Sequence, residues 1–148
     1  MAAETMAGKK SEVDWTFLPT VVYSTPPIAC VGLTEEEAKQ QYGEIRTGQF
    51  PLTGNGYASI LGQKEGLVKV ISDAKTEVVL GVHIIGAGAV ELISSGVIGL
   101  EMGGRDEDFT FPLYPHPSMN ESLLEAVEAL TGEAIHLSPA KQKEAVSA

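Results

Sequence analysis

Cysteine is nearly absent from this sequence: Cys30 is the only one in 148 residues. A single thiol forbids an internal disulfide and fits a reducing compartment, cytoplasmic or, in a eukaryote, the mitochondrial matrix. Basic side chains are also scarce. Ten Lys and Arg stand against twenty Asp and Glu, a formal net charge of −10. Phosphate binding needs clustered Lys and Arg, so neither a nucleic acid nor a membrane surface is expected as a partner. Long apolar runs are missing: Gly, Ser or Glu breaks each one well short of the ~20 residues that span a bilayer. Residues 1–10 hold no apolar segment of the kind a secretory signal needs. His83, His116, His136 and Cys30 lack the close spacing of metal ligands, so no metal is expected. The Gly-x-Ser-x-Gly elbow of one hydrolase class does not occur.

What remains is a chain of one-domain length, 43% hydrophobic and 20% charged, the balance of a globular unit with a real core. Residues 1–13 read as a lead-in, with Ala2–Met6 as the end of a helix. β-branched residues at 20–23 predict a short strand closed by Pro26-Pro27, and 28–33 a second one. Thr34-Glu35-Glu36-Glu37 has the form of a capping box opening a helix to about Tyr42, with Gly43 as its stop. A strand is expected over 44–50, ended by Pro51, and Gly54-Asn55-Gly56 reads as a loop. Residues 66–72 and 77–85 are the clearest strands. The short polar connection Asp73-Ala74-Lys75-Thr76 between them makes the pair an antiparallel hairpin, because a parallel pair needs a crossover of about a dozen residues or more.

Apolar spacing predicts a helix over 89–102, closed by Gly103-Gly104. Gly96 and Gly99 lie on one side of it, where another backbone could approach closely. Residues 109–117 read as irregular and Pro-rich. Ser118-Met119-Asn120-Glu121 is a second capping-box pattern, opening a helix to about Leu130 that Gly132 terminates. Residues 135–148 read as a frayed tail. Hairpin links and helices gathered late in the chain describe an α+β fold, an antiparallel sheet with helices packed on it.

Three features invite a chemical reading. Gly86-Ala87-Gly88-Ala89-Val90-Glu91 follows a strand and opens a helix, as a dinucleotide fingerprint does. Its sixth position is Glu91 where the pattern needs Gly or Ala, and its strand belongs to a hairpin, so a nucleotide site is rejected. Cys30 has no basic neighbour to activate it and reads as a buried core residue. The third feature is Tyr114-Pro115-His116-Pro117-Ser118-Met119-Asn120-Glu121. Pro117 keeps His116 out of the helical region. In an unbroken helix residues five apart would point about 140° apart, whereas a break at Pro117 lets the Glu121 carboxylate reach back to the imidazole. Such a carboxylate fixes the tautomer and favours imidazolium, and the helix N-terminus opposes that effect. A histidine so held is suited to moving protons. From spacing alone the simpler reading is that Glu121 is a cap and His116 an exposed loop residue.

His116-Pro117-Ser118-x-x-Glu121 resembles the C-terminal His-Pro-Thr-x-x-Glu motif of the flavin-dependent pyridine nucleotide-disulfide oxidoreductases. Within them it is most similar to the dihydrolipoamide-oxidising branch. The likeness extends through Pro19-x-x-Val22-Tyr23-x-x-Pro26, Val31-Gly32-Leu33-Thr34-Glu35-x-x-Ala38, the Gly48–Ala58 segment, Gly81-x-x-Ile84-x-Gly86, Glu91-Leu92-Ile93 and Gly132-x-Ala134-Ile135-His136. It covers about residues 14–136, with 137–148 left as a flexible tail. The resemblance implies the C-terminal interface domain of such an enzyme, a homodimer contact with an antiparallel sheet. It implies that His116 is an acid–base residue and Glu121 its orienting partner, both acting at the partner subunit's active site. It implies that the backbone of His116 and Pro117 approaches the partner's flavin. FAD and NAD would belong to the full-length parent, with none bound by this domain alone. The lipoyl domains of 2-oxo acid dehydrogenase complexes would be the parent's partners, and the isolated domain is expected to be inactive.

Two departures stand out. Tyr114 occupies the place of the first His in the branch's usual His-x-His-Pro, and the chain lacks a Cys-x-x-x-x-Cys pair and a valid dinucleotide fingerprint. Other readings are a self-association module without chemistry, or the interface domain of a glutathione-type reductase.

Overall fold

The computed structural model describes residues 2–10 and 15–137. The expected boundary at Asp14 and the tail over 138–148 lie outside these. A short helix, α1 (Ala2–Met6), precedes strands β1 (Thr20–Val22) and β2 (Ile28–Gly32), helix α2 (Glu35–Tyr42) and strand β3 (Ile45–Pro51). A 3-10 turn (Leu52–Gly54) and α3 (Gly56–Leu61) lead to β4 (Gly66–Asp73) and β5 (Val79–Gly86), and then come α4 (Ala89–Glu101), α5 (Asp106–Thr110) and α6 (Glu121–Glu128).

The strands form one sheet in the order β1-β2-β5-β4-β3, antiparallel at every pairing. The expected hairpin is its centre: Val70 pairs with Val82 and Val68 with Ile84. Asp73 closes the turn by accepting the Thr76 amide at 3.1 Å and the Thr76 hydroxyl. Strand side chains alternate between faces. Ala29, Val31, Phe50, Val68, Val70, Val82 and Ile84 point to one face and are buried there. Leu92, Ile93 and Leu100 of α4 and Leu123, Ala126 and Val127 of α6 cover them. A fully buried Leu or Phe in such a layer contributes about 1.5–3 kcal/mol. α2 caps the opposite face through a small cluster of Ala38, Ile71 and Leu80.

α6 lies directly on β3. A Cβ on Gly48 would sit 2.1 Å from the Ala126 carbonyl oxygen and 2.8 Å from the Leu130 nitrogen, so the absence of a side chain there sets the depth at which α6 packs.

The structure corrects several expectations. Gly54-Asn55-Gly56 is not an open loop: Asn55 caps α3, its Oδ1 accepting the Ala58 amide at 2.9 Å. α5 occupies the start of the stretch read as irregular, its Phe109 ring buried against Gly99. Gly96 likewise faces Val82 and Val31 of this chain. The small residues of α4 thus receive side chains of the same fold rather than a foreign backbone. Residues 135–137 are no frayed end, since Leu137 is buried in the core. Cys30 is half-buried on the outer face of the sheet, across from His83. α6 ends at Glu128, followed by turns that close near Gly132 (φ 78°).

Candidate functional site

The site is built on the N-terminus of α6. Met119 and Leu123 are buried beneath it and fix the helix on the sheet. Asn55, itself buried, ties the approach to this helix from below. Its Nδ2 donates to the Ser118 carbonyl at 2.9 Å and to the Ser122 hydroxyl at 2.8 Å. Upstream, the Tyr114 hydroxyl donates to the Phe109 carbonyl at 2.7 Å and holds the strap that leads to His116. Burial pushes that hydroxyl's pKa above the ordinary tyrosine value.

Between these two anchors the chain bends through a cis His116–Pro117 peptide. Nδ1 of His116 lies 2.7 Å from Oε1 of Glu121. The other carboxylate oxygen accepts the Ser118 amide at 2.8 Å. Half of the expected capping box is therefore present, the Glu reaching back to the backbone. The Ser118 hydroxyl does not complete it; that oxygen is buried with no hydrogen-bond partner among the described residues, and the helix starts two residues later, after Asn120. Burial raises the Glu121 carboxyl, but the His116 hydrogen bond, the Ser118 amide and the charges of His116 and His136 carry it below the usual carboxylate range.

The pair is asymmetric in exposure. The His116 side chain is 81% exposed and that of Glu121 27%. An ionised carboxylate accepts and cannot donate, so Nδ1 carries the proton of the neutral ring. Nε2 then faces outward with its lone pair free. With the side chain this exposed, Nε2 is the ring atom open to a proton donor.

A second imidazole shares the cavity. His116, Glu121, Glu125, Glu128 and His136 line one recess of about 290 Å³. Nδ1 and the backbone N–H of His136 both donate to the nearly buried carboxylate of Glu125, the latter at 3.0 Å. Hydrogen bonding to Glu125 raises the His136 pKa against the opposing effect of burial, with further help from Glu121 and Glu128. Burial, together with the charges of Glu125 and Glu133, raises Glu128.

The Gly86-Ala87-Gly88 turn joins β5 to α4, but β5 is antiparallel to both of its neighbours. It is not the first strand of a βαβ unit, and these residues do not fit a bound dinucleotide.

The profile of the family described as "Pyridine nucleotide-disulphide oxidoreductase, dimerisation domain" matches residues 18–127. The chain belongs to this family. Its dimerisation domain is 45% identical over 137 residues to the dihydrolipoyl dehydrogenase of Thermus scotoductus, covering 93% of this chain and 30% of that protein. It is 40% identical over 134 residues to the mitochondrial dihydrolipoyl dehydrogenase of Pisum sativum, covering 90% and 27%. Among solved structures, the HOCl-induced flavoprotein disulfide reductase RclA from Escherichia coli superposes with a TM-score of 0.79 at 26% identity, over 86% of this chain and 30% of that one. LpdA from Mycobacterium tuberculosis gives 0.77 at 25% identity, over 87% and 28%. The chain spans under a third of the length of these relatives.

Sequence reasoning singled out His116 and Glu121, and the fold brings them together. It passed over Asn55, whose preference for helix N-caps was the available signal. It also passed over Glu125 and Glu128, which share the Glu121 face at helical spacing.

Proposed function

We propose that this domain supplies an acid–base pair, His116 and Glu121, to the thiol–disulfide centre of a partner subunit in a dihydrolipoyl dehydrogenase. The single observation that carries the reading is an imidazole left 81% exposed while its Nδ1 is held at 2.7 Å by Glu121. The chain has one cysteine, so the disulfide that this base would serve lies elsewhere in the parent. Nε2 takes the proton of a dihydrolipoyl thiol, and the thiolate formed attacks one sulfur of the disulfide, making a mixed disulfide as the S–S bond breaks and the other sulfur leaves as thiolate. Glu121 balances the imidazolium charge and keeps the ring oriented, and in the reverse direction the imidazolium returns the proton. Bound in the parent's other domains, FAD and NAD would carry the electrons onward. The backbone of His116 and Pro117 would lie against the partner's flavin, and lipoyl domains would deliver the substrate.

The second element of the proposal is the dimer surface. Phe111 and Leu113 are 90% and 100% exposed. Ile98 and Met102, also exposed, line a recess of about 460 Å³ together with Pro112, which stands between Phe111 and Leu113 in the chain. Apolar side chains so exposed beside the acid–base pair suit a second copy of the protein. Alone, this domain binds neither dinucleotide and does not turn over.

The test is a hybrid in which residues 18–137 replace the corresponding segment of the Thermus scotoductus enzyme. Steady-state oxidation of dihydrolipoamide should fall about 10²–10⁴-fold on His116→Gln, the scale of a positioned acid–base group. Unchanged turnover leaves Glu121 as a cap and removes the catalytic reading.

A further inference from the structure

Leu137 and Ala134 already bury the returning segment in the core, while the His136 side chain is 64% exposed and its Glu125 partner 6%. A carboxylate that deep is costly unless it is paired, and here the pairing is spent on an imidazole that opens into the same recess as Glu121. We propose that His136, seated on the buried Glu125 carboxylate, is a positioning residue for the His116–Glu121 pair and acts across the shared cavity through Glu121.

The layout supports this. Glu121, Glu125 and Glu128 fall at i, i+4 and i+7 of one helix face. His116 caps the first carboxylate from the loop side, and His136 caps the second from the returning segment. Glu128 and Glu133 are the other charged groups that bear on this end of the recess. Its remaining wall comes from Phe50, Asn55, Leu124, Ile135 and the glycines beside Asn55, and among the described residues it carries no further charge. Protonated His136 is thus a cation held at a fixed place beside three carboxylates.

The consequence runs through the charge of Glu121. A fixed cation nearby favours its ionised form, so Glu121 remains an acceptor for Nδ1 of His116 to lower pH than it otherwise would. Glu121 in turn favours protonation of His136. The interaction is mutual, and the two groups titrate as a coupled system.

Whether His116 then serves a thiol rests on the function proposed above, but the coupling itself is measurable without any turnover. The experiment is carbon-detected NMR titration of the 148-residue chain and two variants. In His136→Gln the Glu121 carboxyl midpoint should rise by on the order of 0.3 pH unit, the scale of a partly screened interaction across a wet cavity. In Glu121→Gln the His136 midpoint should fall by the same amount, because pairwise coupling is reciprocal. A purely structural role for His136 moves neither midpoint. The Gln amide retains a donor for Glu125 and the side chain at 136 is itself 64% exposed, so His136→Gln is expected to fold. Should its spectrum show the 132–137 segment detached, the Glu121→Gln arm decides alone. Unmoved midpoints overturn the inference and leave the acid–base reading of His116 standing, whereas hybrid turnover that survives His116→Gln does the reverse.

Discussion

His116 and Glu121 are five positions apart in sequence and 2.7 Å apart in space, because the chain turns at Pro117 before α6 begins. The carboxylate divides its oxygens between the imidazole and the Ser118 amide. One side chain therefore shapes the helix start and orients the base at once. That double use makes substitutions at Glu121 hard to interpret alone and moves the sharper tests to the residues around it.

Asn55 holds the Ser118 carbonyl and the Ser122 hydroxyl. Asn55→Ala should cost about 1–3 kcal/mol in urea unfolding, since it strands buried polar groups on three segments. Amide hydrogen exchange should rise locally at Asn55–Ala58 and at Ser118–Ser122, the segments Asn55 joins, while the β4–β5 hairpin keeps its protection. An unfolding free energy equal to wild type would remove Asn55 from the support of the site.

Asp106 is half-buried, with Oδ1 lacking a hydrogen-bond partner, Ser72 and Arg46 each 3.4 Å from Oδ2, and Glu77 adding repulsion. Burial pushes its pKa to about 6, and the Ser72 hydrogen bond and the Arg46 charge only partly offset that rise. A carboxyl raised on folding keeps its proton longer in the native state, so its ionisation destabilises the fold as pH climbs from about 4 to 6. The Tm of Asp106→Asn relative to wild type should increase across that window and level off above it. A constant difference from pH 4 to 8 would contradict the assignment.

Phe111→Ser combined with Leu113→Ser should raise the dimer dissociation constant at least about tenfold, on the scale of truncated interface anchors. Unfolding of the monomer should change by no more than about 0.5 kcal/mol, because both side chains are exposed. Sedimentation of the chain and its double variant at matched concentrations measures the first quantity. Equal association of the two would place the dimer contact elsewhere.

Much of this arrangement was legible before any coordinates. Val68, Val70, Val82 and Ile84 announce a hairpin by alternation across a four-residue turn, and Thr34 with Glu37 announces the start of α2; both are local signals, and both stand in the structure. What escaped depends on contacts between distant segments. Asn55 looked like loop chemistry because glycines flank it, yet the partners of its Nδ2 lie more than sixty residues away. Gly96 and Gly99 suggested a close-packed helix face without revealing that Val82 and Phe109 fill it. His136 gained its partner only because the chain returns along α6, and no periodicity encodes that reversal.

The central claim is that His116 serves the active centre of another subunit, and mixed dimers of the hybrid enzyme test it most directly. One parent carries His116→Gln with its redox cysteines intact; the other carries His116 with those cysteines replaced. Each homodimer should be inactive, and random reassociation should restore about a quarter of wild-type turnover, because half the dimers then hold one complete centre in trans. Mixed dimers as inactive as their parents would contradict the claim.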